Sequence, residues 1–65
     1  MTTTNITPTT IIIKTNSDRT LRIDKWEEGY RLATTHEMNK GGWSFGFTIK
    51  IYKTLNAALK RAEKF

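Results

Sequence analysis

The stretch from Trp43 to Tyr52 places a large apolar side chain at every second position. The apolar members are Trp43, Phe45, Phe47, Ile49 and Ile51, and the residues between them are small or polar. Successive side chains of a β-strand point to opposite faces, so this alternation predicts one long strand with one buried face. A slip of one residue would move the whole apolar set into water, which makes the register strongly specified.

A helix is predicted directly after this strand. Thr54 is a suitable N-cap because its hydroxyl can accept a hydrogen bond from a free backbone N–H of the first turn. Apolar residues then recur at helical spacing on one stripe. The stripe consists of Leu55, Ala58, Leu59, Ala62 and Phe65. We therefore expect the helix to lie across the apolar face of the long strand and to close a core.

Shorter β-strands are predicted before the long one. Thr10–Lys14 is rich in β-branched residues, Thr20–Asp24 alternates, and a third strand runs from Tyr30 to His36. Gly29 can take the left-handed conformation that a short hairpin loop requires before this third strand. The cluster at residues 39–42 is the strongest turn signal and leads into the long strand.

The predicted fold is α+β: a three- to four-stranded antiparallel β-sheet (meander) with one C-terminal α-helix packed on one face. Residues 1–9 are rich in threonine and contain Pro8, so they are expected to be a flexible N-terminal tail, and residues 10–65 a single domain. Cysteine is absent and histidine occurs once. A disulfide is therefore excluded and a structural zinc site is disfavoured, which leaves packing or a homodimer to stabilise so small a domain.

Charge and composition narrow the function classes. The net charge of +5 suits a polyanion such as nucleic acid, although it is also an ordinary solubility feature of a small domain. The chain shows neither a signal peptide nor an apolar run of membrane-spanning length, which, with the absence of cysteine, predicts a cytoplasmic protein. The carboxylates are scattered and His36 lacks a catalytic partner in the sequence, so no enzymatic activity and no cofactor are expected.

The face of the sheet opposite the helix has no second layer in the predicted fold, so it must meet solvent, a partner or a ligand. Gly46 marks a position where another chain or ligand could approach this face closely. Cationic side chains there can contact phosphates, and a tyrosine can stack on a base. The predicted nucleic-acid-binding residues are Arg22, Arg31, Lys40, Lys50, Tyr52 and Lys53. An ordinary solvated face is the alternative.

The ending from Tyr52 to Ala62 resembles the strand-to-helix junction of plant ethylene-response-factor DNA-binding domains and of phage integrase arm-binding domains. The likeness consists of an aromatic residue, a Thr-Leu cap and alanines at helical spacing. In those families a three-stranded sheet enters the major groove and a C-terminal helix braces it. The resemblance covers residues 20–65 and implies that Arg22, Arg31 and Lys50 read bases or contact phosphates.

Two further likenesses concern the chain as a whole. The order of four strands and then a helix is similar to one half of the single-stranded-DNA-binding domains of the Whirly kind. The small size, the threonine-rich start and the lack of catalytic groups look like many small phage or mobile-element proteins.

Two functions follow as expectations. The first is a non-enzymatic nucleic-acid-binding protein, with DNA favoured over RNA. The second is a protein-interaction module, such as a phage-encoded inhibitor or regulator of a host protein. In that interpretation Thr10–Lys14 is the edge strand, and an exposed Ile12 invites strand addition or homodimer pairing.

Overall fold

The computed structural model describes residues 1–65 and contains one five-stranded antiparallel sheet and one C-terminal helix. The strands follow one another in space in the order of the sequence. The elements are β1 (Thr2–Thr7), β2 (Thr10–Lys14), β3 (Thr20–Trp26), β4 (Gly29–Thr34), β5 (Thr48–Tyr52) and α1 (Leu55–Ala62). The predicted α+β meander with a C-terminal helix is confirmed, and a strand is added at its beginning.

Strand β1 lies where a flexible tail was expected. It pairs antiparallel with β2, with Thr2 opposite Lys14 and Thr7 opposite Thr10, and residues 8–9 form the turn. All residues of β1 are exposed. The prediction of a tail is wrong because burial was taken as the condition for order, whereas β-branched threonines favour an extended chain that the β2 backbone can pair with.

The core lies between α1 and one face of the sheet, here called the helix face. Ile13, Leu21, Ile23 and Leu32 are almost completely buried there. Small residues let the helix approach closely, since Ala58 and Ala62 belong to the same buried cluster, and Leu55, Leu59 and Phe65 pack around it. The predicted N-cap is confirmed, because Thr54 Oγ1 accepts a hydrogen bond from the Ala57 N–H at 3.2 Å.

The predicted long strand from Trp43 to Tyr52 is wrong in its first half. The register with β4 shifts between Leu32, which pairs with Lys50, and Ala33, which pairs with Thr48. Ile49 is the extra residue, and such a bulge breaks the alternation of side chains. Of the alternating apolar residues only Ile49 packs against the core. Three of the other alternating apolar residues are exposed: Phe45 (52%), Phe47 (86%) and Ile51 (37%).

Residues 35–47 form a hairpin that folds over the face opposite the helix. We call this hairpin the cover segment and the face beneath it the second face. Glu37 and Trp43 form an isolated β-bridge, and the Met38 N–H donates to the Gly42 carbonyl at 2.8 Å. The cover segment returns to the sheet where the Gly46 N–H donates to the Thr34 carbonyl at 2.9 Å.

Gly46 is required by this return of the chain. A Cβ at that position would overlap with the Thr34 side-chain oxygen. The same oxygen accepts a hydrogen bond from the Phe47 N–H at 2.8 Å, so it cannot move away without losing that partner. The close approach that the sequence predicted at Gly46 is thus made by the chain's own β4 strand rather than by a ligand.

Replacing Gly46 by alanine is expected to lower the free energy of unfolding by about 1–3 kcal/mol, because the added methyl group overpacks against Thr34. Urea denaturation followed by tryptophan fluorescence measures the change. Gly42→Ala is the matched control, since the nearest atom to its Cβ would be the flexible methyl end of Met38 at 3.0 Å. Equal destabilisation by the two substitutions would contradict this account of Gly46.

Candidate functional site

The centre of the second face is a buried ion pair between Arg22 and Asp24. Arg22 Nε donates to Asp24 Oδ2 and Arg22 Nη2 donates to Asp24 Oδ1, both at 2.8 Å. Thr10 Oγ1 also donates to Asp24 Oδ1, at 2.7 Å. The two charged residues are only 7% and 6% exposed. The bidentate geometry and the additional hydroxyl satisfy the carboxylate, which is the condition for burying such a pair.

The cover segment uses the outer side of the same arginine. Arg22 Nη1 donates to the carbonyl oxygen of Trp43 at 2.9 Å, and the Phe45 ring centroid lies 3.5 Å from Arg22 Cζ. The Ser44 carbonyl accepts a hydrogen bond from the Thr35 hydroxyl, which fixes the same stretch of backbone. The placement of Arg22 on an open binding face is therefore wrong, because its guanidinium is buried between Asp24 and the cover segment.

Beside this pair lies an exposed layer that we call the aromatic platform: Trp26, Arg31, Phe45 and Ile51. Arg31 Cζ lies 4.6 Å from the Phe45 ring centroid and 5.0 Å from that of Trp26, and Ile51 is its partner across the β4–β5 ladder. Arg31 Nε also donates to Thr48 Oγ1 at 2.6 Å. Trp26 is 45% exposed and Phe45 is 52% exposed. The platform therefore presents two rings to solvent, and the half-buried Arg31 guanidinium supports both of them.

The remaining predicted site residues lie elsewhere. Tyr52 pairs with Tyr30 and packs against the core, so it belongs to the helix face. The Lys50 Nζ lies 5.6 Å from the Tyr52 ring centroid, which places Lys50 on that side too. The predicted placement of Lys50 and Tyr52 assumed regular alternation of side chains between the two faces, and the bulge at Ile49 interrupts that alternation. Lys40 is exposed at the tip of the cover segment and Lys53 is exposed between β5 and α1.

Most exposed cations lie away from the platform. Among them are Lys50 and Lys53, together with Lys60, Arg61 and Lys64 at the end of the chain. The platform itself contains one cation, Arg31, and the turn beside Trp26 carries Glu27 and Glu28. Of the six residues predicted to bind nucleic acid, only Arg31 lies on the platform, while Lys50 and Tyr52 are brought together on the other side.

Two residues that the sequence did not connect are close together in the cover segment. Ser44 Oγ lies 2.8 Å from His36 Nδ1 and accepts a hydrogen bond from the His36 backbone N–H at 3.1 Å. A serine–histidine pair is the core of many nucleophilic sites, but here no carboxylate hydrogen-bonds the imidazole to orient it. The pair closes the cover segment, and no spacing rule in the sequence indicates it.

A shallow groove of about 280 Å³ lies between the β1–β2 hairpin and Trp43 on the second face. Its walls include Thr4, Ile6, Lys14 and Trp43. Ile12 lines its floor and is buried, so the prediction that Ile12 is exposed on an edge strand is wrong: β1 is the edge, and Ile12 is covered. No group of three or more potential metal ligands is present, and no helix is long and apolar enough to cross a membrane.

Comparisons with protein-family models, curated proteins and solved structures give no match for this chain. The resemblance to ethylene-response-factor, integrase arm-binding and Whirly-type domains therefore stays a prediction that rests on the residues quoted above. The candidate site is defined by its own geometry: a buried arginine–carboxylate pair beneath, and a half-buried arginine in contact with two exposed rings above.

Substituting Asp24 by asparagine is expected to lower the free energy of unfolding by about 3–5 kcal/mol, because it leaves the Arg22 guanidinium buried without its counter-charge. Glu27→Gln removes a carboxylate of the same charge from an exposed turn and is expected to change stability by less than about 0.5 kcal/mol. Thermal unfolding followed by circular dichroism compares the two variants. A D24N protein as stable as E27Q would refute the structural role assigned to the pair.

Proposed function

We propose that this chain is a non-enzymatic protein that binds single-stranded nucleic acid on the aromatic platform. The observation that carries the proposal is the pair of exposed rings, Trp26 and Phe45, which the half-buried Arg31 guanidinium contacts and holds in place. Unpaired bases stack on aromatic rings and on guanidinium planes. Because the Thr48 hydroxyl and both rings hold Arg31, little side-chain entropy remains to be lost on binding.

The shape of the second face supports a single strand rather than a duplex. The cover segment crosses the face at Arg22, so the sheet does not offer three bare strands to a major groove. Bases within a duplex are already stacked on one another, whereas unpaired bases can be laid on exposed rings. Stacking serves DNA and RNA alike, and DNA remains the first expectation of the two.

Cations outside the platform supply the contact with phosphates. Lys40 is exposed at the tip of the cover segment, which lies over the second face, and Lys53 is exposed just after the edge strand β5. Flexible lysine side chains at such positions neutralise phosphates without demanding one geometry. With a net charge of +5, this contribution makes the affinity fall steeply as the salt concentration rises.

A second candidate, a module that binds and regulates a host protein, is favoured by exposed apolar side chains in and directly before β5. Phe47, 86% exposed, and Ile51, 37% exposed, are large apolar groups with no role in the core. Tryptophan and arginine are enriched among the residues that dominate protein–protein binding energy. Binding of this kind would be driven by apolar burial, and its affinity would depend less on salt.

Trp26→Ala is expected to weaken the affinity for a short single-stranded oligonucleotide about tenfold, since stacking of one base on an aromatic side chain contributes roughly 1–3 kcal/mol. Fluorescence anisotropy of labelled DNA and RNA oligonucleotides, single-stranded and duplex, measures this at low and at raised salt. Lys40→Gln should weaken binding moderately and reduce its salt dependence. Lys60→Gln, on the helix, is the matched control and should change the affinity less than Lys40→Gln.

Two results would refute the proposal. One is the absence of binding to every oligonucleotide at low salt. The other is binding that survives Trp26→Ala but is lost with Lys60→Gln, which would locate the contact on the helix. Capture of a host protein by the wild-type chain but not by Phe47→Ser, with little effect of salt, would support the second candidate instead.

A further inference from the structure

Strand β1 is an edge strand without the usual protection. It pairs with β2 on one side only, and all of its residues are exposed. Between Thr2 and Thr7 it contains no charge, no proline and no glycine. Its single irregularity is a register shift between Asn5 and Thr7, next to the turn. The outward backbone groups of Thr2–Asn5 therefore form an open template for another strand.

The other edge of the same sheet is protected. Strand β5 is short, is bulged at Ile49 and carries Lys50, and Lys53 follows it directly. Bulges and lysines are the means by which natural sheets prevent pairing at an edge. The contrast between the two edges of one sheet indicates that β1 is left open for a partner.

We propose that β1 pairs antiparallel with β1 of a second copy of this chain, so that two five-stranded sheets become one continuous sheet. The strand is mostly threonine, and pairing it with itself produces cross-strand threonine contacts, which stabilise antiparallel pairs. A second copy also supplies a strand of the same length and the same lack of charge.

The charges near β1 are arranged so that this pairing avoids repulsion. Lys14, the cation in the strand paired with β1, lies opposite Thr2 and is therefore at one end of the strand. Antiparallel pairing places the two positive ends at opposite ends of the joint, roughly 20 Å apart for strands of this length. At that distance salt largely screens their repulsion.

Pairing of this kind also helps a domain with a small core. Only 13 of the 65 residues are buried, and none of them belongs to β1. A chain of this size buries only about 60% of the surface that its unfolded form exposes, so added burial and added backbone hydrogen bonds have a large relative effect. The joint would bury the exposed outer edge of both β1 strands.

The symmetry of the joint has a consequence for the platform. Identical strands that pair antiparallel within one sheet are related by a two-fold axis perpendicular to the sheet, so both second faces point the same way. Arg31 of each copy lies on β4, and the two sites would be separated by seven strand spacings, roughly 34 Å. This consequence rests on the proposed function: one nucleic-acid strand could reach both platforms and gain from their linkage.

The chain contains no cysteine, so a single introduced thiol reports directly on the joint. Sedimentation equilibrium of the wild-type protein without nucleic acid is expected to show a concentration-dependent mass approaching twice 7.5 kDa. Of the variants Thr3→Cys, Thr4→Cys and Asn5→Cys, the one nearest the two-fold axis should oxidise readily to a disulfide-linked dimer, since a disulfide needs Cβ atoms about 4 Å apart. Asn56→Cys, exposed on the helix, should stay unlinked.

A mass of 7.5 kDa at every concentration would overturn the proposal. So would a dimer that is cross-linked through Ile51→Cys and through no position in β1, because the platform would then be the interface. The mass is measured without nucleic acid, so it decides whether the dimer exists independently of whether the platform binds oligonucleotides.

Discussion

The Arg22–Asp24 ion pair determines the arrangement of the whole second face. Asp24 is tied to Arg22 by two hydrogen bonds and to Thr10 by a third, which joins β2 and β3 through their side chains. Burying a guanidinium costs several kcal/mol in lost hydration unless its donors are satisfied. The Trp43 carbonyl satisfies one of them, which anchors the cover segment and brings Phe45 onto the guanidinium. Arg31 and Trp26 then extend the same stack outwards.

The architecture could be predicted from the sequence where local periodicity determines it. Alternation with a period of two and an apolar stripe with a period of 3.6 predicted the meander and the helix, and Thr54 predicted where the helix begins. The cover segment could not be predicted in this way. The bulge at Ile49 arises from the pairing of β5 with β4, which is a tertiary property. The apolar residues alternate without interruption on both sides of Ile49, so the sequence predicted an unbroken strand there.

The candidate site, too, was predictable from the sequence only in part. Arg31 was predicted as a site residue and lies on the platform, whereas Phe45 was predicted to be buried and Trp26 was not among the predicted site residues. The prediction that Arg22 lies on an open binding face was wrong, although the sequence contained a signal against it. Residues two apart on a strand share a face, so the side chains of Arg22 and Asp24 can pair with each other. Opposite charges at that spacing on a face that becomes covered indicate a structural pair rather than a binding site.

The meander also implies that the molecule does not open uniformly. Each of the strands β1–β4 pairs with its neighbour in sequence across a short loop, so this part of the sheet can form from successive hairpins. The hydrogen bond from Arg22 to Trp43, by contrast, spans 21 residues and joins the cover segment to a sheet that already exists. Elements attached late and by few contacts unfold locally at low cost. The backbone amides of the cover segment should thus exchange with solvent sooner than those of β3. Phe45, one of the two platform rings, should detach and reattach while the sheet stays folded.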